Sequence, residues 1–192
     1  NNLVPVLGPC GPLERERRIY RTMWNFAWCL SERYERLSTP RPFRIAVDPF
    51  DRWRALGADG RGFVMVTAHL GNFEVGSMLP ATEERREVHL VREAEVDPRA
   101  QEFIRQILSR DRAAPYTTHF QSDDPLQGVA LLESLRNGGI VAVQGDRPRT
   151  GGRNLPTTLF GRAFPLPAGP AALARSARVP LVPIFVLREG RR

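Results

Sequence analysis

No lysine occurs in this chain of 192 residues, so all 28 of its basic residues are arginine, against 21 Asp and Glu. An all-arginine usage fits a high-GC genome, and part of the net charge of +7 then reflects codon bias. The remaining excess is compatible with nucleic acid, an anionic membrane face or a phosphorylated substrate. Arginine is also the better residue for bidentate contact with phosphate. Cysteine is nearly absent: Cys10 and Cys29 stand far from any CxxC spacing. That excludes a disulfide framework and a cysteine-based zinc site, and it fits a reducing compartment. No apolar run approaches the ~20 residues that span a bilayer. The chain opens with Asn1 rather than Met, shows no signal peptide, and ends in Arg191-Arg192. It reads as an excerpt of a longer protein. Repeats and low-complexity stretches are missing too.

What is present is a composition that builds a core. With 42% hydrophobic residues the chain is long enough for one domain and short for two. Residues 12–37 predict one amphipathic helix: Pro12 sits where a missing N–H costs nothing, and Ile19, Met23, Phe26, Ala27, Leu30, Tyr34 and Leu37 recur at helical spacing. Arg15, Arg17, Arg18, Arg21, Arg33 and Arg36 flank that stripe. The helix reads either as packed on the domain with a solvated basic face, or as also meeting anionic lipid. After residue 40, strand candidates (Phe43–Val47, Phe63–Thr67, Val88–Val91, Ile140–Val143, Leu181–Val186) alternate with helix candidates (Asn72–Leu79, Pro98–Ser109, Pro125–Asn137, Gly169–Ala177). The runs at 63, 140 and 181 are short and continuously apolar, as in strands buried on both faces. The expectation is an α/β fold: a mostly parallel sheet sandwiched by helices over residues 41–192, preceded by an N-terminal helical segment, residues 1–40, packed on it. Functional groups in such sheets sit just past strand C-termini.

Two loops meet that condition. After Thr67 the chain reads Ala68-His69-Leu70-Gly71-Asn72-Phe73-Glu74. Gly71 allows a tight turn or a close backbone approach, and Asn72 suits a helix N-cap. Glu74 in the first turn can then fold back toward His69, and a carboxylate on one imidazole nitrogen leaves the other free as a base. The residues alone also permit a His69 that merely caps backbone, or one that ligates a metal, although no further His or Cys lies nearby to complete a site. After Val143 comes Gln144-Gly145-Asp146-Arg147. Asp146 can bond His69 or an acceptor hydroxyl, and Arg147, with Arg149, Arg153 and Arg162, can meet phosphate. The same stretch reads equally as an ordinary Gly/Pro/Arg loop. His89, inside a strand, and His119, in a polar stretch, read as structural. Arg92 and Arg110 read as ion-pair or surface residues.

The string H-L-G-N-F-E after V-M-V-T-A resembles the His-x4-Asp/Glu motif of the glycerolipid acyltransferase superfamily. It is most similar to the branch with an H-x-G-N-x-E form, which holds the lipid A lauroyl and myristoyl transferases and the phosphatidylinositol mannoside acyltransferases. Other blocks follow in order. The N-N-L opening and Arg/Glu-rich helix resemble the segment before that family's core. Leu132 through G-G-I-V-A-V-Q-G-D-R-P resembles its Leu-Arg-x-Gly … Asp block. L-F-G-R-A-F-P-L-P-A-G-P-A-A-L-A is similar to its Phe-Gly block, with Phe160-Gly161, and R-V-P-L-V-P-I-F to its last core strand. The likeness spans roughly residues 1–190. The family usually begins with a membrane-anchoring helix, and its second block often carries His or Gln near the Asp, where this chain has Gln144-Gly145-Asp146-Arg147-Pro148.

The resemblance implies an acyl transfer from acyl carrier protein or coenzyme A to a hydroxyl of a lipid or glycolipid. It implies His69 and Glu74 as the catalytic pair, and Gly71, Asn72, Asp146, Arg147, Phe160 and Gly161 as substrate-binding residues. Neither a metal nor a cofactor is expected beyond the thioester co-substrate. The expected place of work is the membrane surface, at the cytoplasmic face of a bacterial inner membrane. A lysophospholipid or phosphatidylinositol mannoside-type acceptor, or a non-catalytic lipid-binding paralogue, are the alternatives within the fold. A nucleic-acid-binding module would put basic residues and aromatics on one stripe. Here the arginines are scattered, so no nucleic-acid partner is expected.

Overall fold

A computed structural model describes residues 3–38, 46–73, 86–110, 116–121, 125–148 and 152–187. After a single helical turn, α1 (Val4–Leu7), comes the long helix α2 (Pro12–Ser38), and then α3 (Phe50–Ala58). The sheet strands and covering helices follow as β1 (Phe63–Thr67), β2 (Val88–Arg92), α4 (Pro98–Arg110), β3 (Tyr116–Phe120), α5 (Pro125–Arg136) and β4 (Ile140–Gln144). Four two-residue strands come next: β5 (Asn154–Leu155), β6 (Thr158–Leu159), β7 (Arg162–Ala163) and β8 (Leu166–Pro167). The last elements are α6 (Gly169–Ala177) and β9 (Leu181–Pro183).

Five strands form one parallel sheet in the order β3-β2-β4-β1-β9. Its centre is β4 beside β1, in register from Phe63↔Ile140 to Thr67↔Gln144. Successive side chains of these two strands point to opposite faces. Phe63, Met65, Ile140 and Ala142 join Trp53 of α3 and Val88 on one side. Val64 and Val141 join Leu131 and Leu135 of α5 and Ala174 and Ala177 of α6 on the other. Both faces are therefore buried, which explains the continuous apolar runs. Truncating Leu135, fully buried at 0% exposure, removes contacts worth about 2–5 kcal/mol.

The expected strands at 63, 88 and 140 and helices at 98, 125 and 169 are present, each to within a residue. The last strand is shorter than expected and stops at Pro183, with one more ladder bond from the Ile184 N–H to the Val66 carbonyl (2.8 Å). Pro180 and Pro183 remove two N–H donors, which confines β9 to the sheet edge. Of the strand expected at Phe43–Val47, residues 43–45 lie outside the described residues, and Ala46 and Val47 form no strand. The helix expected at Asn72–Leu79 lies outside the described residues from Glu74 onward. Six elements went unforeseen in the sequence: α3, the polar strand β3, and the four short strands paired as β5–β8 and β6–β7.

Along α2 the stripe of Ile19, Met23 and Phe26 is exposed, and so are Tyr20, Trp24 and Trp28, which form a stepwise aromatic row. Its arginines are less free than their number suggests. Glu14 takes up Arg17 and Arg18, Glu16 takes up Arg15, and Arg18 also donates to the Gly8 carbonyl (3.0 Å). At the sheet edge where the strands begin, Arg86 donates to the Gly138 carbonyl (2.9 Å) and lies over the Phe63 ring. These arginines serve the fold.

Candidate active site

The parallel register of β1 and β4 sets the geometry of the opposite edge. Thr67 and Gln144 are level, so the residues just past each strand leave the sheet side by side. The Gly145 N–H donates to the Thr67 carbonyl (2.9 Å), carrying the pairing one step beyond the strands. A Cβ at Gly145 would lie 2.5 Å from Val66 Cγ1, so any larger residue would have to displace that side chain. Asp146 then faces His69, 77 positions away in sequence.

Two bonds join the pair. The backbone N–H of His69 donates to Asp146 Oδ2 (3.0 Å), and His69 Nδ1 lies 2.8 Å from Oδ1. Partial burial pushes the Asp146 carboxyl up, but the backbone and ring bonds from His69 and the imidazole charge outweigh it and hold it below the ordinary carboxylate range. An ionised carboxylate only accepts, so Nδ1 carries the shared hydrogen and the neutral ring keeps its lone pair on Nε2. The side chains are 26% and 25% exposed, sheltered but open to a substrate.

The loop around His69 is tightly wound. The Leu70 N–H donates to the Ala68 carbonyl (2.7 Å), a three-residue turn centred on His69. Gly71 follows with a positive φ of 59°, and a Cβ there would overlap the Val186 carbonyl oxygen. Both demands point to glycine. The turn brings Phe73 back edge-on to the imidazole, with ring centroids 5.0 Å apart and planes at 62°.

His69, Gly71 and Asp146 are thus brought together at one edge, and Arg147 is exposed on the same loop as Asp146. Glu74 lies outside the described residues, as do the groups that Asn72 would cap; the Nδ1 position open to a carboxylate is held by Asp146. Arg149 lies outside them too. Phe160 and Gly161 form the two-residue tip of the β6–β7 hairpin, with φ of 52° and 71°. Among the described residues nothing lies within 4 Å of a Cβ built on Gly161, so no close neighbour there demands glycine. Its glycine answers the left-handed turn instead. The close approaches are at Gly71 and Gly145. Arg92 makes a loose ion pair with Glu95 (3.9 Å), as expected of it; the side chain of Arg110 is outside the description.

His89 and His119 pair with each other across β2 and β3, Nδ1 to Nε2 at 2.7 Å. Glu87 Oε1 lies 3.2 Å from His89 Nε2, within ionic reach but without hydrogen-bond geometry. Burial, then the charge of His89, holds His119 below the ordinary imidazole range, against an opposing pull from Glu87. Among the described residues no three His, Cys, Asp or Glu side chains converge to hold a metal ion, and no helix is long and apolar enough to cross a membrane.

Sequence reasoning missed Phe73 and the 184–187 segment beside the loop. Phe73 stands four residues after His69, but only the turn at Gly71 turns that spacing into contact. No protein-family model matches the chain, and no curated protein matches it.

Proposed function

We propose that this chain is the catalytic core of an O-acyltransferase that moves a fatty acyl group from a thioester to a hydroxyl of a lipid or glycolipid. The observation that carries the reading is the doubly bonded His69–Asp146 pair at the open edge of a parallel sheet. Such edges gather substrates. His69 Nε2 takes the proton of the acceptor hydroxyl as its oxygen attacks the thioester carbonyl. The carbonyl re-forms as the carbon–sulfur bond breaks, and the imidazolium returns its proton to the departing sulfur. Asp146 holds the tautomer and stabilises the imidazolium. Glu74, the carboxylate of the H-L-G-N-F-E string, is assigned to the catalytic pair by the resemblance alone. Arg147 meets an anionic group of donor or acceptor. The ring nitrogen acts as a base and no covalent enzyme intermediate is required.

The donor is an acyl carrier protein or coenzyme A thioester, and the work is done at the cytoplasmic face of the inner membrane. The exposed aromatics of α2 and the net charge of +7 support a membrane-surface partner. Mass spectrometry of lipids from cells with and without the gene tests the activity. The expected result is loss of one acylated species, restored by the wild-type gene and not by His69→Ala. An unchanged lipid profile sinks the reading. For the surface, the 192-residue chain is expected to bind anionic vesicles weakly and to be released by salt. Salt-resistant pelleting with neutral vesicles would contradict it.

A further inference from the structure

While the carboxylate holds Nδ1 the ring is set, because Cβ, Cγ and Nδ1 all lie in its plane. A side chain that is a quarter exposed can still leave the carboxylate by rotation about its Cα–Cβ and Cβ–Cγ bonds, and each such rotamer aims Nε2 elsewhere. General-base catalysis depends on that aim, because misplacement by about 1 Å costs up to ~10²-fold in rate. Something has to keep the ring on its carboxylate. The side chain found against the ring is Phe73, edge-on at 5.0 Å and 62°. Aromatic pairs favour such arrangements, with centroids at about 4.5–7 Å.

The loop is built to deliver that contact. The tight turn at His69 and the left-handed Gly71 reverse the chain within four residues, and Gly71 is wedged against the Val186 carbonyl, where no Cβ fits. We propose that Phe73 is a positioning residue, whose ring keeps His69 in the rotamer in which Asp146 holds Nδ1. This rests on His69 being the base, and it adds the part that sets where the base points. An aliphatic side chain of similar bulk would fill the same space without a flat edge to set the ring.

The chain has three histidines, so their ring nitrogens are separable by nuclear magnetic resonance in the intact protein, with His69→Asn assigning the signal of His69. In the wild type the His69 ring is expected in one neutral tautomer, protonated on Nδ1, with ring protons shifted by the neighbouring Phe73. Phe73→Leu is expected to give averaged tautomers and to lose that shift, while the His89 and His119 signals stay in place and report an intact sheet. Phe73→Trp restores the single tautomer. Turnover of palmitoyl-coenzyme A in the presence of a lysophospholipid as hydroxyl acceptor, read as released thiol, is expected to fall about tenfold in kcat with KM unchanged in Phe73→Leu, and to recover in Phe73→Trp. A Phe73→Leu protein whose His69 ring nitrogens still report the single Nδ1-protonated tautomer overturns the proposal, as does a Trp variant no better than Leu. Should the leucine variant disturb all three histidines, Phe73→Tyr takes its place as the ring-preserving control, and a Tyr variant that alters the tautomer overturns it equally. If His69→Ala leaves thioester turnover intact, the acyltransferase reading falls while the ring measurements still judge the placement by Phe73.

Discussion

Two histidine pairs lie in this sheet, built from the same side chain and put to opposite ends. His69 stands past the end of β1, a quarter exposed, against a carboxylate that accepts two of its hydrogens. His89 lies within β2, 8% exposed, against another imidazole. A carboxylate stabilises a proton on its partner; a second imidazole in a buried strand opposes one. Of the two, the first pair is the one suited to holding a proton. Partner and position, more than residue type, separate a candidate base from a cross-strand contact.

Substitutions can sharpen or break this contrast. The largest effect is expected from His69→Ala, a loss of ~10²–10⁴-fold in kcat with the fold retained. Steady-state kinetics beside a circular dichroism melt check both halves, and near wild-type turnover would remove the contrast. Asp146→Asn comes next, with a loss of ~10²-fold, since an amide gives the ring no anionic acceptor. Added to His69→Ala it is expected to cost little more, because residues acting as a unit are not additive; a fully multiplicative loss would show two independent residues.

Arg147→Ala is a milder change, expected to raise KM about tenfold while leaving kcat near its wild-type value. The reverse pattern would assign Arg147 to the chemistry rather than to binding. The smallest effect concerns the second pair. A histidine whose folded value lies below its unfolded one stabilises the protein above pH ~6.5, and that contribution is lost as pH falls toward the folded value. The native state is then expected to weaken on acidification below neutrality, and His119→Asn to flatten that slope in urea titrations. An unchanged slope would leave the pair without influence on folding.

Much of this was legible in the residues. The periodicities at 98–109, 125–137 and 169–177 gave helices in place, because each begins beside a proline or glycine and carries apolar spacing that survives folding. The strands at 63 and 140 were legible because both faces are buried. The strand Tyr116–Phe120 was not, since Tyr-Thr-Thr-His-Phe lacks an apolar run and owes its conformation to pairing with β2. The joining of Asp146 to His69 followed from topology, as two glycine-led loops after central strands. The task of Phe73 did not, because a four-residue spacing in a loop says nothing until the turn is known. Gly161 stayed open for the related reason that a glycine demanded by a turn and one demanded by a close neighbour look alike in sequence.

The 77-residue separation of His69 and Asp146 also bears on how the protein acquires activity. Closing a flexible loop of that length costs about 4 kcal/mol in chain entropy. Two charge-assisted hydrogen bonds return ~3–6 kcal/mol together, which does little more than offset that cost before the side chains themselves are ordered. The β1–β4 register has to exist first, and the two side chains meet as its by-product. Activity should therefore be the last property to return on refolding, and a chain cut between the two loops should work only when both pieces reassemble one sheet.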